Sequence, residues 1–197
     1  MDGLGWSDII KIVLASGVVA TIISSGITWV KEKAQRDGQR KLDAEFDAIH
    51  LISKLDALAV RCANNFWEYH KLWNEARGTI HERDVAGCTK PDIAIDAASL
   101  SKIDRSLACR IAWLENDISL GADEIRSRWE AYMDTDDANE HYANLVGYFG
   151  YEALMISKLL RAKYSLTHEG PRWGMPQIEQ QLKTCFDATK LFFKEDN

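Results

Sequence analysis

The sequence predicts an all-α protein in which an N-terminal single transmembrane helix is followed by an antiparallel helical bundle. Two observations favour this fold class. Residues 12–30 carry no charged side chain, and apolar residues then recur at spacings of three and four along most of the later chain. No later stretch alternates apolar and polar residues with the period of two that is typical of strands, so we expect no sheet.

The uncharged run predicts a helix that crosses a membrane. At 1.5 Å rise per residue its length is about 28 Å, close to the roughly 30 Å of a bilayer's hydrocarbon core. We assign the span to residues 9–30, with residues 1–8 as a short extracytoplasmic tail and residues 31–41 as a basic juxtamembrane collar. A cleaved signal peptide is the main alternative, but the first ten residues contain no Lys or Arg, and the apolar run is longer than such peptides need.

Aromatic and basic residues predict how the span is oriented. Tryptophans flank the run near the two membrane interfaces, where indole rings are favoured. Basic residues are concentrated after the run, whereas Lys11 alone precedes it, so the positive-inside rule places the N-terminus outside and the C-terminal domain in the cytoplasm. The residues expected at the membrane interface are Trp6, Trp29, Lys31, Lys33 and Arg36.

Small residues recur at every fourth position of the predicted span. Such a stripe lets two membrane helices approach closely, and it therefore predicts a homodimer that forms through the span. The alternative is that these residues reflect only the usual composition of transmembrane helices. The stripe consists of Ser16, Ala20, Ser24 and Thr28.

Residues 42–197 are predicted to form one cytoplasmic helical bundle domain. Its first helix continues from the span, covers residues 39–76 and ends at Gly78. The connection over residues 78–98 is expected to lie across the bundle, anchored by isoleucines 93 and 95. Near the membrane, the apolar face of the first helix is predicted to include Leu42, Phe46 and Ile49.

Four further helices follow in the predicted bundle. The second helix begins at Leu100 and is interrupted at Gly121, after which we expect a separate, shorter helix. Turn residues 134–137 begin a long helix that ends near Leu166. Pro176 suits the first turn of the last helix.

Charge is divided unevenly along the chain. Residues 1–41 hold six basic and four acidic residues, a net charge of +2, which leaves −8 for the remainder because the total is −6. So acidic a domain would repel phosphates, and we expect no nucleic-acid partner. The collar predicts contact with membrane lipid, since each Lys or Arg near an anionic surface contributes ~1 kcal/mol. The simpler alternative is that the collar only sets the topology.

No motif in the sequence points to catalysis. The four cysteines form no C-x-x-C pair, and we expect Cys62, Cys109 and Cys185 to be reduced and buried as small hydrophobic residues. No H-E-x-x-H, E-x-x-H, glycine-rich nucleotide motif or G-x-S-x-G is present in the sequence. The sequence therefore predicts no catalytic, cofactor-binding or metal-binding residue, no cofactor, and a protein that is not an enzyme.

Aromatic side chains are concentrated in the C-terminal half of the chain. We expect them to fill the core; the alternative is an exposed groove that receives a partner helix or peptide. In the same region, Glu152 and Glu179 are expected to be solvated. The aromatic residues are Trp129, Tyr148, Phe149, Tyr151, Tyr164 and Trp173.

Three segments carry a resemblance to other proteins: Lys54-Leu-Asp-Ala-Leu-Ala-Val-Arg-Cys-Ala63, residues 100–118 and residues 152–166. They are similar to segments of a loose group of small, uncharacterised bacterial proteins that have an N-terminal membrane anchor followed by helices. The resemblance implies a bacterial, inner-membrane protein, and it carries over no catalytic or binding residue.

The functional hypothesis is a membrane-tethered interaction module. We expect a single-pass protein in the inner (plasma) membrane whose bundle binds another protein at the cytoplasmic face. An alternative is a membrane-active stress or phage-defence effector, which would need a second inserting segment; residues 145–160 come nearest but contain Glu152 and Lys158. A third hypothesis is an enzyme whose site is assembled from residues that are distant in sequence.

Overall fold

The structure is a computed structural model that describes residues 18–79, 85–132, 135–167 and 174–194. The chain divides into two compact units, Met1–Asp43 and Ala44–Asn197. All regular structure in the described residues is helical, which confirms the all-α class. The helices are α1 (Val18–Ala76), α2 (Ala97–Leu100), α3 (Arg105–Tyr132), α4 (Thr135–Lys163) and α5 (Met175–Lys194).

The predicted membrane span lies only partly within these ranges. Residues 1–17, which include the start of the span, are outside the described residues, and the rest of the span forms the beginning of α1. In the parts of the chain that the structure describes, none of the helices contains a stretch whose length and hydropathy suit a membrane crossing.

Helix α1 ends where the sequence predicts, and it runs unbroken from the described part of the predicted span into the bundle. It runs without interruption to Ala76, and Gly78 then adopts a φ of 75°, a left-handed conformation in which glycine carries no Cβ penalty. Within the second unit, one face of α1 is buried in the core through the large side chains of Leu51, Leu55, Leu58 and Phe66.

The predicted extension of this apolar face through Leu42, Phe46 and Ile49 is wrong. All three side chains are exposed, Phe46 at 70%. Two alanines of the same helix, Ala44 and Ala48, are buried instead. Large side chains therefore point to solvent on this part of α1, while the buried side is formed by residues too small to stand out in a hydrophobic pattern.

The predicted interruption at Gly121 is also wrong, because α3 continues through it to Tyr132. The missing side chain serves packing instead. A Cβ placed at Gly121 would lie 3.0 Å from Cζ of Phe149 and 3.2 Å from Cδ2 of Leu145, both on α4. Glycine thus allows α3 and α4 to approach closely without breaking the helix, at a cost of about 1 kcal/mol in helix propensity.

The start of the second predicted helix differs from the expectation as well. Leu100 belongs to the short α2, and Ile103 lies in the turn that precedes α3. Asp104 caps α3, since its Oδ1 accepts hydrogen bonds from the backbone N–H groups of Ser106 (3.0 Å) and Leu107 (3.3 Å). Asp104 therefore sets the start of α3 at Arg105, whereas periodicity alone would begin the helix at Leu100.

Helix α4 packs against three other helices. Its Gly147 faces Cys185 of α5, and its Gly150 faces both Cys62 of α1 and Leu182 of α5. The buried residues of α4 consequently cover most of its circumference, as expected for a helix inside a bundle.

The helices around α4 run antiparallel to it. Toward the C-terminus of α4, the contacted residues lie progressively nearer the N-terminus of each neighbouring helix. On α1, Cys62 faces Gly150 and Asp56 is bonded to Ser157. On α5, Cys185 faces Gly147 and Leu182 faces Gly150. On α3, Gly121 lies near Leu145 whereas Arg110 pairs with Glu152. The bundle is therefore built around one helix with antiparallel neighbours.

The cysteine predictions are confirmed at two positions and wrong at one. Cys62 and Cys185 are buried, as is Cys88, but Cys109 is exposed. The buried residues of α3 that flank it are Leu107 and Ile111, four positions apart, and the residue midway between them falls on the opposite side of the helix.

Candidate functional site

The predicted membrane-interface residues that the structure describes are all on the surface of α1. Trp29, Lys31, Lys33 and Arg36 are exposed, and the ammonium of Lys33 lies 5.3 Å from the centroid of the Trp29 ring. Trp6 is outside the described residues. An indole and cations displayed together are chemically suited to the headgroup region of a bilayer.

The collar also carries acidic side chains that pair with its basic ones. Arg36 lies 3.7 Å from Glu32, and Arg40 lies 3.9 Å from Asp37, in pairs along the exposed surface of the helix. Exposed pairs of this kind are worth only ~0.3–0.5 kcal/mol, so the arginines can exchange these partners for lipid phosphates at little cost.

The predicted self-association stripe stays a prediction. Ser16 is outside the described residues, and Ala20 and Ser24 lie in α1 with side chains that are not described. Thr28 is exposed on the same helix.

The second unit contains a cavity of about 650 Å³ that the sequence did not predict, which we call the cationic groove. One wall is the outer face of α1, and the other is the extended segment of residues 89–94. Its lining includes the basic side chains of His50, Lys54, Arg61 and Lys90 and one acidic side chain, Asp92.

Side chains of α1 fix the extended wall of the groove through its backbone. The carboxamide of Asn65 donates to the carbonyl of Thr89 (2.7 Å) and accepts from the N–H of the same residue (3.2 Å). Arg61 donates to the carbonyl of Asp92 at 2.8 Å, and Lys54 donates to that of Ala94 at 2.9 Å. A segment without regular structure thereby obtains partners for its polar backbone groups.

Apolar anchors hold the same segment from its other side. Ile93 and Cys88 are buried, and Ile95 packs against the core, which confirms that both predicted isoleucines anchor the described part of the connection to the bundle. The thiol of Cys88 donates to the carbonyl of Asn65 at 3.6 Å. Both walls of the groove are therefore held by contacts within the protein.

The electrostatics of the groove are opposite to those of the chain around it. Within the described residues, Lys54, Arg61 and Lys90 form no ion pair with a carboxylate; Lys90 instead donates to the hydroxyl of Ser119 at 2.9 Å. The groove thus presents three cations against one carboxylate, Asp92, on a region whose net charge is −8. A concave positive surface concentrates anionic ligands.

One pattern in the sequence indicates part of the cationic groove. Lys54, Arg61 and Asn65 are spaced by seven and four residues, which places them on one face of a helix. Lys90 and the carbonyls they bind come from a loop some thirty residues later, and no helical period connects the two.

Three thiols in the core are chemically quiet. Burial raises the pKa of Cys62 and of Cys88 to about 12, and that of Cys185 to about 11. A thiol with so high a pKa forms little thiolate, the nucleophilic and metal-binding species, at neutral pH. In the described part of the chain, no group of three or more His, Cys, Asp or Glu side chains is arranged to hold a metal ion.

Glu152 and Glu179 form ion pairs across helices, which differs from the expectation that both are solvated. Glu152 lies 2.5 Å from Arg110 of α3, and Glu179 lies 2.5 Å from Lys158 of α4. Insertion of residues 145–160 into a bilayer would break both pairs in addition to burying two charges. These contacts weigh against the membrane-active alternative.

The aromatic residues divide between the core and its edge. Phe149 is buried, while Tyr148, Tyr151 and Tyr164 are partly buried against the core. The side chain of Trp129 and the whole of Trp173 lie outside the described residues.

No family model, curated protein or solved structure matches this chain. The resemblance to small membrane-anchored bacterial proteins therefore stays a prediction.

Proposed function

We propose that this protein is a non-enzymatic, membrane-tethered interaction module at the cytoplasmic face of a bacterial inner membrane. In this proposal the cationic groove receives an acidic segment of a partner protein. The observation that carries the proposal is the groove itself: three cations that form no ion pair within the described residues line a cavity whose two walls are joined by hydrogen bonds.

The size and the lining of the groove suit a peptide segment. Its volume of about 650 Å³ lies within the ~300–1,000 Å³ typical of ligand sites. Lys54 and Arg61 are held by backbone carbonyls, so little side-chain entropy remains to be lost when they meet a carboxylate. Asp92 would repel an acidic residue at its end of the groove and so would fix the direction of the segment.

The membrane tether is supported by the N-terminal sequence. The uncharged residues 12–30 have the length of a membrane span, and the exposed Trp29 and Lys33 are suited to its cytoplasmic interface. A tether confines the groove to a thin layer beside the membrane, which raises the effective concentration for a partner that is also bound there.

Site-specific photo-crosslinking in cells tests this function. A photoreactive residue at position 57, which lines the groove, should give a discrete adduct with one protein, whereas the same residue at the exposed position 112 of α3 should not. The double variant Lys54→Gln/Arg61→Gln should remove that adduct. Equal adducts at both positions, or an adduct that survives loss of both cations, would contradict the proposal.

A further inference from the structure

Three large apolar side chains form an exposed row on the side of α1 that faces away from the core. Leu42, Phe46 and Ile49 are separated by four and three residues, so they share one face of the helix. Their exposed fractions are 51%, 70% and 49%, whereas Ala44 and Ala48 on the opposite side are buried. The part of the chain that the structure describes therefore leaves about half or more of each side chain open.

This apolar row continues the line of the predicted self-association stripe. Eighteen residues separate Thr28 from Phe46, and eighteen also separate Ser24 from Leu42. Eighteen residues make five complete turns of an α-helix, and α1 runs without interruption from Val18 to Ala76. Small residues of the predicted span and large apolar residues beyond it thus follow one line along a single helix.

Lipid does not reach the apolar row. Phe46 lies sixteen residues beyond Val30, the end of the predicted span, which is about 24 Å along the helix at 1.5 Å per residue. The headgroup region on one side of a bilayer is only about 5–8 Å thick. The occupant of the row is therefore a protein surface and not the membrane.

A second copy of this chain fits the whole line. Two copies that are anchored in one membrane with the same orientation run parallel and at equal depth, so each residue meets its own counterpart. A two-fold symmetric pair uses the same patch on both subunits, and the row carries no charge that would repel itself. A different protein would have to match both the small residues within the span and the large ones beyond it, whereas a second copy matches both by symmetry.

Residues between the stripe and the row are compatible with such a pair. Gln35 and Gln39 lie on the same face of α1 and are exposed and uncharged. Polar residues at the contact face of a parallel helix pair fix its register.

The row alone is too small to hold two copies together. Its three side chains offer on the order of 300 Å² per copy, since a whole aromatic side chain buries about 150–250 Å². A stable soluble interface buries about 800 Å² per partner. The span therefore has to supply the rest of the contact.

We propose that this face of α1 pairs with the same face of α1 in a second copy, parallel and in register, from the small-residue stripe to the apolar row. Phe46 packs against Phe46 of the partner subunit, and the Leu42 and Ile49 side chains pack one turn before it and one turn after it. The pair rests on the membrane tether of the proposed function, but it does not depend on the acidic partner of the cationic groove.

Disulfide crosslinking of the full-length protein in isolated membranes tests this proposal. The background variant Cys109→Ser removes the exposed thiol. Leu42→Cys, Phe46→Cys and Ile49→Cys then each place one thiol on the row, and Lys41→Cys places one at an exposed position on another side of the helix. After oxidation with copper phenanthroline, the row variants should give several times more covalent dimer than Lys41→Cys, because a disulfide needs Cα atoms within about 4.4–6.8 Å. Co-expression of tagged and untagged copies should give three dimer bands, which identifies both halves as this chain.

A substitution in the span tests whether stripe and row act together. Ser24→Leu should lower the crosslinking at position 46 several-fold, because a large side chain separates the two helices, whereas Val30→Leu on another side of the helix should leave it unchanged. The exposed row makes its cysteine variants safe for the fold. Equal crosslinking at position 41 and along the row, or an adduct with a different protein in place of the dimer, would refute the pair. Loss of the protein from the membrane pellet would refute the tether and the pair together, whereas failure to crosslink within the pellet would refute the pair alone.

Discussion

Asn65 should hold the extended wall of the cationic groove, and Asn65→Ala should release it. The substitution removes two hydrogen bonds to the backbone of Thr89, at 2.7 and 3.2 Å. At ~0.5–1.5 kcal/mol for each bond, the loss amounts to about 1–3 kcal/mol. Alanine is the better helix former by up to about 0.7 kcal/mol, which leaves a net destabilisation of roughly 0.5–2 kcal/mol.

The neighbouring residue provides the control for this prediction. Asn64 is exposed on the same turn of α1, so Asn64→Ala gains the same helix propensity without losing these bonds. Denaturant unfolding should separate the two variants by about 1–3 kcal/mol. Amide hydrogen exchange should accelerate at residues 85–96 in Asn65→Ala alone. Equal stability of the two variants, with equal exchange in that segment, would refute the role assigned to Asn65.

Three further substitutions test the bundle, each by thermal or denaturant unfolding. Burial lowers the pKa of His70, so the imidazole binds a proton more readily in the unfolded chain than in the folded one. The free energy of unfolding should therefore fall as the pH drops below the unfolded pKa of about 6.5, and His70→Gln should weaken that fall. The same pH profile in the variant and the wild type would contradict this role of His70. Arg161→Met should cost about 1–3 kcal/mol, less than for a fully buried pair, because the Asp56 carboxylate, 2.5 Å away, loses its cationic partner and keeps the hydroxyl of Ser157. The double variant Asp56→Leu/Arg161→Met should cost less than the single variant, and a larger cost would argue against the pair. Gly150→Ala should cost about 1–3 kcal/mol, because its Cβ would lie 2.7 Å from that of Cys62, whereas Gly38→Ala meets nothing within 4 Å and should cost nothing.

The helices could be predicted from the sequence because their apolar periods follow directly from the geometry of one chain segment. The end of α1 at Gly78 and the anchoring of the connection by Ile93 are local properties, and both are confirmed. Gly121 was different. Whether glycine breaks a helix or admits a neighbour depends on what lies opposite, and the Phe149 ring that occupies this place is distant in sequence.

The same limitation explains the errors in burial. Phe46 belongs to an apparent apolar face, but it is exposed and the nearby Ala48 is buried. Which side of a helix is covered depends on its packing partners and not only on the hydrophobicity of its residues. The cationic groove needs Lys54 and Arg61 from one helix and carbonyls from a loop, and such pairings across the chain leave no period in the sequence.

The central claim is that the bundle is held on the cytoplasmic side of a membrane. The thiol of Cys109 can report on this location. Cys109 is exposed, whereas burial raises the pKa of the other three thiols and slows their reaction. A membrane-impermeant maleimide should leave Cys109 unmodified in intact spheroplasts and should label it after lysis, in protein that sediments with the membranes; Cys109→Ser should remove the label. Labelling of Cys109 in intact spheroplasts, or recovery of the full-length protein in the soluble fraction, would contradict the claim.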